Sequence, residues 1–95
     1  MIQQEVINEA RDLIAGFIVS RRKELGYTQV ELAERAGLGA RTIERIEGKK
    51  FIPNGESLLK ICHALDCFFF FGEKESDDPF IKSFRNRWRR EGDQN

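Results

Sequence analysis

The segment ARTIERIE contains two arginines and two glutamates around a pair of isoleucines. Ile43 and Ile46 are three residues apart, a spacing that predicts one buried helix face. The residues left on the outer face are Arg41, Thr42, Glu44 and Arg45. A guanidinium can hold a guanine edge through two hydrogen bonds, each such pair giving about 1–3 kcal/mol of discrimination. The segment therefore predicts a helix whose outer face is available to bind something, and the base edges of duplex DNA are one candidate.

A second short helix is predicted just before it. Thr28 can accept a hydrogen bond from the Glu31 amide, while Glu31 reaches back to complete a capping box. The apolar face of this helix consists of Leu32, Ala33 and Ala36. Gly37 suits the left-handed residue that ends a helix, so the next helix is expected to begin near Gly39 or Ala40.

The spacing within these two helices is specific. Ala33 is four residues before Gly37, and Ile43 is six residues after it. A small residue lets two helices cross closely, a glycine permits the sharp turn, and a β-branched residue fills the angle between the helices. Those are the requirements of a helix-turn-helix unit, which places its second helix in the DNA major groove.

The chain resembles the lambda-repressor-like, Cro-type (Xre-like) helix-turn-helix family. The matching stretches are RRKELGYTQVELAERAGL, RTIERIEG, Pro53 and ESLLKICHAL, so the resemblance covers roughly Arg21 to Leu65. It implies a mainly α fold, a bundle of four to five helices. By the resemblance, Ala40, Arg41 and Arg45 face base edges with Glu44 nearby, and Thr28, Gln29 and Thr42 contact phosphate. Gly39, Lys49 and Lys50 complete the expected DNA-binding set.

Glu47 lies at the C-terminal end of the predicted recognition helix, where the macrodipole disfavours a negative charge. In the family, an arginine late in the first helix pairs with a glutamate at this place, and Arg22 and Glu47 occupy the matching positions. We expect this pair to be structural. The family usually has glutamate, any residue, then glycine, whereas here Gly48 follows Glu47 directly and Lys49 holds the glycine place. We therefore expect the left-handed residue of this turn to shift by one, to Gly48.

Two further helices complete the predicted bundle. The first runs from Gln3 to Leu25 and has an apolar stripe of Val6, Ile7, Ala10, Leu13, Ile14, Phe17 and Ile18. Its residues before Leu13 extend beyond the family's usual start and are interpreted as extra packing. The other begins after Asn54, a possible cap, and its core positions are Leu58, Ile61, Cys62 and Leu65.

The C-terminal part departs from a simple bundle. Cys67 to Phe71 contains four consecutive phenylalanines, which favour a strand. A lone strand needs a partner, and antitoxin-type members of the family pair such a strand across a dimer, although a short fifth helix is the alternative. Asp78 and Pro79 start a last helix to about Arg90. The predicted dimer interface is Phe68, Phe69, Phe70, Phe71, Phe80, Phe84 and Trp88.

These boundaries divide the chain into three parts. Residues 1–66 form the helix-turn-helix domain with its N-terminal extension, residues 67–90 the dimerisation strand and C-terminal helix, and residues 91–95 a disordered tail. The last helix also carries Lys82 and several arginines, so it either packs on its own dimer or docks on a protein partner or on DNA phosphate.

Composition excludes several classes of protein. The 95 residues include 16 basic and 16 acidic side chains, but residues 21–60 contain nine basic and six acidic ones, a net charge of plus three. Two cysteines and no signal segment predict a reduced, cytoplasmic setting. Cys62, His63 and Cys67 lack the second cluster of a zinc site, and the run from Cys67 to Phe71 is too short to cross a bilayer. No catalytic constellation, metal site or cofactor is predicted.

The sequence therefore predicts a sequence-specific, DNA-binding transcriptional regulator, a repressor that acts as a homodimer on a palindromic operator. The alternative is an antitoxin or another interaction module that neutralises a partner protein such as a toxin, with DNA binding secondary. Neutral net charge and Glu44 favour the second interpretation, whereas Gln29, Arg41 and Arg45 favour the first.

Overall fold

The computed structural model describes residues 3–68 and, beyond them, Pro79. The described part folds into four helices: α1 (Gln4–Glu24), α2 (Gln29–Ala36), α3 (Ala40–Glu47) and α4 (Gly55–Ala64). The prediction of a mainly helical, helix-turn-helix bundle is confirmed. The predicted strand from Cys67 to Phe71 and the helix from Pro79 to Arg90 lie, apart from residues 67, 68 and 79, outside the described residues.

Local capping signals mark both ends of α2 and the start of α4. Thr28 Oγ1 accepts from the Glu31 amide at 3.0 Å, and Glu31 Oε1 accepts from the Thr28 amide at 2.8 Å. The hydrogen bond from the Thr28 backbone, followed by the one with its side chain, lowers the pKa of Glu31. Asn54 Oδ1 caps α4 by accepting from the Ser57 amide at 2.8 Å, and Gly37 ends α2 in the left-handed conformation, with φ 69°.

The core lies where the four helices meet. Its buried members are Ile18, Leu32, Ala33, Ala36, Ile43, Ile46, Ile61 and Leu65. Burying a large aliphatic side chain stabilises the fold by about 1.5–3 kcal/mol. Because α3 contributes Ile43 and Ile46 to this cluster, the position of α3 is determined by residues that point away from its outer face.

The stripe predicted along α1 was wrong at Phe17. The Phe17 side chain is 51% exposed, whereas its neighbour Ile18 is 2% exposed and belongs to the core. Successive residues of an α-helix are about 100° apart around the axis, and the core lies on the side of α1 that carries Ile18. Ile14 packs beside Ile18 at the edge of the core, and Phe17 faces away from it.

The prediction of the turn after α3 was also wrong. Gly48 has φ −81°, which any residue adopts, and Lys49 is the left-handed residue, with φ 63°. The turn therefore keeps the family's place for its left-handed residue and puts a lysine there. Lys49 N donates to Ile46 O at 3.0 Å and Lys50 N to Arg45 O at 3.0 Å. These two bonds satisfy carbonyls at the end of α3, which offsets the steric cost at Lys49.

Lys49→Gly should therefore raise the free energy of unfolding by about 0.5–1 kcal/mol. A left-handed non-glycine residue costs about 1–2 kcal/mol, part of which is lost again because glycine makes the unfolded chain more flexible. The exposed ion pair between Lys49 and Asp12, at 3.7 Å, contributes little. Thermal and urea unfolding measure the change.

Lys50→Gly is the matched control, because Lys50 is not among the residues with positive φ. It should be neutral or destabilising. If the two glycine variants lose stability equally, the strain assigned to Lys49 is absent.

Candidate nucleic-acid interface

The outer face of α3 is formed by side chains that the core does not use. Ala40, Arg41, Glu44 and Arg45 are exposed, and Thr42 is half-buried. On the opposite side, Ile43 and Ile46 are 0% and 1% exposed. The helix thus has one face committed to packing and another that presents two guanidinium groups and one carboxylate to solvent.

Glu47 connects the end of α3 to the rest of the bundle. Its Oε2 accepts from Arg22 Nε at 2.7 Å and its Oε1 from Arg22 Nη2 at 2.9 Å, a bidentate ion pair between side chains that are 12% and 6% exposed. Glu47 Oε1 also accepts from Gln29 Nε2 at 2.8 Å. One carboxylate therefore bonds to α1 and to the first residue of α2 at once.

Arg22 completes this connection on the α1 side. Its Nη1 donates to the backbone oxygen of Tyr27 at 2.8 Å, so the guanidinium also holds the loop between α1 and α2. The hydrogen bond to Glu47 raises the pKa of Arg22, opposed by burial. Because Arg22 is charged at every physiological pH, the pair does not switch with pH on the arginine side.

The candidate phosphate contacts lie around this junction. Thr28 is exposed and uses its oxygen as the α2 cap, which leaves its hydroxyl hydrogen able to donate. Gln29 is half-buried, and its side-chain nitrogen already donates to Glu47. Only its second side-chain N–H or its backbone amide can therefore serve a phosphate. The bond between Gln29 and Glu47 is not predictable from the sequence, because the residue pattern of α2 does not show which residue of α3 lies beside Gln29.

Gly39, Lys49 and Lys50 lie at the two ends of α3. Gly39 is its N-cap and provides no side-chain cap. An anion could therefore accept from the amides of Ala40 and Arg41, whereas the Thr42 amide already donates to Gly39 O at 3.0 Å. Lys49 and Lys50 are exposed in the turn after α3. Lys49 Nζ lies 3.7 Å from Asp12 Oδ1, which partly neutralises it, whereas no such pair is recorded for Lys50 within residues 3–68.

Phe51 is a residue of this surface that the sequence analysis missed. The Arg45 guanidinium carbon lies over the Phe51 ring, 5.6 Å from its centroid. A similar contact joins Arg35 to Tyr27 at 4.3 Å. Phe51 follows Arg45 by six residues, but this spacing does not predict a contact between them. The direction of the Phe51 side chain depends on the turn after α3.

Cys62 and Cys67 lie close together near the end of α4. Burial, and next the neighbouring Cys67, raises the pKa of the Cys62 thiol to about 11, so this thiol ionises less readily than an exposed one. Cys67 Sγ donates to Cys62 O at 3.5 Å. Within the described residues, no group of three potential metal ligands is found.

The predicted dimer interface lies almost entirely beyond the described residues. Phe68 is described and is 95% exposed, whereas Phe69, Phe70, Phe71, Phe80, Phe84 and Trp88 are outside the described part. Arg21 donates to the backbone oxygens just before this segment, to Leu65 O at 2.9 Å and to Asp66 O at 3.4 Å.

No helix in the described part is both long and apolar enough to cross a membrane.

Comparison with known proteins identifies the family. Residues 18–67 match the model of the family HTH_3, described as helix-turn-helix. A protein of Methanothermobacter thermautotrophicus named as an uncharacterized HTH-type transcriptional regulator is 39% identical over 64 residues, which cover 67% of this chain and 84% of that protein. No solved structure matches the chain. The chain therefore belongs to the Xre/lambda-repressor-like helix-turn-helix family, and the resemblance seen in its sequence is confirmed.

Proposed function

We propose that this protein is a transcriptional regulator that binds duplex DNA through α3 and represses transcription as a homodimer on a palindromic operator. The observation that carries the proposal is the exposed pair Arg41 and Arg45 on a helix whose opposite face is buried in the core. Family membership and the name of the related Methanothermobacter thermautotrophicus protein support it.

The side chains of α3 suit the base edges of the major groove. Arg41 and Arg45 each grip a guanine through two hydrogen bonds, Ala40 contacts a thymine methyl group, and Glu44 accepts from a cytosine amino group. Glu44 also repels phosphate, so it disfavours binding unless a suitable base is opposite. The combination contributes more to selectivity than to general affinity for DNA.

Phosphate contacts set the position of α3 in the groove. Thr28 precedes α2 directly, Lys50 follows the end of α3, and both are exposed. Such contacts fix register without reading sequence. With only plus three net charge over residues 21–60, non-specific affinity is expected to be weak, so recognition depends on base contacts.

A homodimer provides the length of operator that one domain cannot read. One recognition helix contacts a few base pairs, and useful specificity requires two such helices about 34 Å apart on one face of the DNA. In this proposal the aromatic segment from Cys67 to Phe71 joins the two protomers. The resulting two-fold symmetry makes the operator palindromic.

Selection from random duplexes should recover a palindrome, and Arg41→Ala and Arg45→Ala should each relax the preference at particular bases. Each substitution should reduce the discrimination at its base pair by about 1–3 kcal/mol, because alanine cannot form the two hydrogen bonds that distinguish guanine from the other bases. Sequencing of bound DNA at fixed salt measures the preference, and a reporter fused to the recovered site tests repression.

Arg35→Ala is the matched control. It removes one exposed arginine from the last turn of α2, away from the outer face of α3, so it should change overall affinity slightly and leave every base preference unchanged. If the folded protein enriches no sequence, the proposed DNA-binding function is wrong.

A further inference from the structure

The contact between Arg45 and Phe51 brings an exposed side chain against one that is anchored. Phe51 is half-buried and packs against the core cluster, so its ring has little freedom to move. Arg45 is exposed on the outer face of α3, and its guanidinium carbon lies 5.6 Å from the centroid of that ring. The turn containing Gly48 and Lys49 brings Phe51 back beside the helix it has just left.

A ring beneath a guanidinium constrains it without using its donors. The attraction between a guanidinium and an aromatic face needs no hydrogen-bond acceptor, so the arginine N–H groups stay available to a base. An arginine restrained in this way loses less conformational freedom when it binds a planar partner through two parallel hydrogen bonds. A hydrogen bond to Glu44 or Glu47 would occupy the N–H groups of Arg45. Within the described residues, the Arg45 side chain makes no such hydrogen bond.

We infer that Phe51 is a positioning residue that aims Arg45 at a guanine and sharpens the base preference at that one position of the operator. The inference rests on the proposed DNA-binding function. Arg41 has no comparable aromatic contact within residues 3–68, so the two arginines should differ: the base read by Arg45 depends on Phe51, and the base read by Arg41 does not.

Substitutions of Phe51, alone and combined with Arg45→Ala, test this with the full-length protein and random duplex DNA. Phe51→Leu keeps apolar volume against the core but removes the aromatic face, and Phe51→Tyr keeps the ring. We expect Phe51→Leu to reduce preference about two- to fivefold, the size of an exposed cation–π contact, at the bases that Arg45→Ala identifies. Phe51→Tyr should retain the preference, and in an Arg45→Ala background Phe51→Leu should cause no further loss of it.

Tyr27→Leu is the matched control. It removes the other arginine–aromatic contact, the one between Tyr27 and Arg35 at 4.3 Å, from an arginine outside the outer face of α3. Base preference should stay at the wild-type level. In the free protein, the side-chain N–H resonance of Arg45 should shift in Phe51→Leu through loss of the ring current and stay unchanged in Tyr27→Leu.

The outcomes separate this inference from the function on which it rests. A wild-type protein that selects a sequence, together with a Phe51→Leu variant that keeps the same preference, overturns the inference alone. An equal loss at the bases read by Arg41 and by Arg45 also overturns it, because Phe51 would then support α3 as a whole. A wild-type protein that selects no sequence overturns both.

Discussion

Glu47→Ala should lower the free energy of unfolding by about 3–5 kcal/mol, a large part of the roughly 5–15 kcal/mol that stabilises a typical domain. The reason is the burial of Arg22, whose side chain is 12% exposed and whose guanidinium would lose both of its bonds to Glu47. Gln29 would lose its partner as well. DNA affinity should fall together with stability, because α3 then loses its polar link to α1 and α2 and is held only by the packing of Ile43 and Ile46.

A double-mutant cycle with Arg22→Ala measures the interaction itself. The two single changes should be non-additive, since the second removes a charge that the first has already left without its partner. The exposed pair Glu56 and Lys60 is the matched control, with side chains 81% and 45% exposed. Glu56→Ala should cost no more than about 0.5 kcal/mol.

Additive losses in the cycle would show that Arg22 and Glu47 do not stabilise each other. A Glu47→Ala variant that melts like Glu56→Ala would likewise contradict a structural role. Circular dichroism and urea unfolding give both results from the same samples.

Much of the fold could be predicted because its signals are local. The Thr28 and Glu31 capping box and the left-handed Gly37 each depend on residues a few positions apart. The apolar spacing of Ile43 and Ile46 similarly identified the buried face of α3. Such features require only the regular geometry of a helix, so a single sequence is sufficient to find them.

The errors have physical reasons of their own. Glycine adopts left-handed conformations at low cost, so the sequence favoured Gly48, but hydrogen bonding at the end of α3 selects position 49 regardless of residue type. Phe17 was predicted to be buried because it lies three residues after Ile14 and four after Leu13. The same spacing also occurs at the edge of an apolar stripe, where a side chain can face solvent. The hydrogen bond from Gln29 to Glu47 and the contact between Phe51 and Arg45 depend on how the helices and the turn after α3 are arranged in space. The spacing of residues along the sequence does not give that arrangement.

If the proposed homodimer forms through residues 67–71, removing residues 67–95 should leave a monomer and weaken binding to the proposed operator about 100-fold or more. Two linked recognition helices bind a palindrome far more tightly than one, because the second contact is made at a high effective concentration. The cut keeps every buried member of the core, including Leu65, and the bond from Arg21 to the Leu65 oxygen at 2.9 Å. Among the described residues packed against the core, it removes Cys67. Sedimentation and titration with the selected operator measure the two effects.

Removing only residues 91–95, the predicted disordered tail, is the control and should leave both assembly and affinity unchanged. Circular dichroism must show that the longer truncation keeps its helices. A truncated protein that still sediments as a dimer and binds with unchanged affinity would eliminate the strand as the interface, and the fifth-helix interpretation would replace it.

The division of α3 into two faces also determines how this protein can be altered. Substitutions at Arg41, Glu44 and Arg45 change an exposed surface, whereas Ile43, Ile46 and Glu47 hold the helix in place. New binding preferences can therefore arise by single substitutions that leave folding unaffected, in nature or by design. The exception is position 45, where any new side chain must fit beside Phe51. We therefore expect more substitutions to be tolerated at position 41 than at position 45.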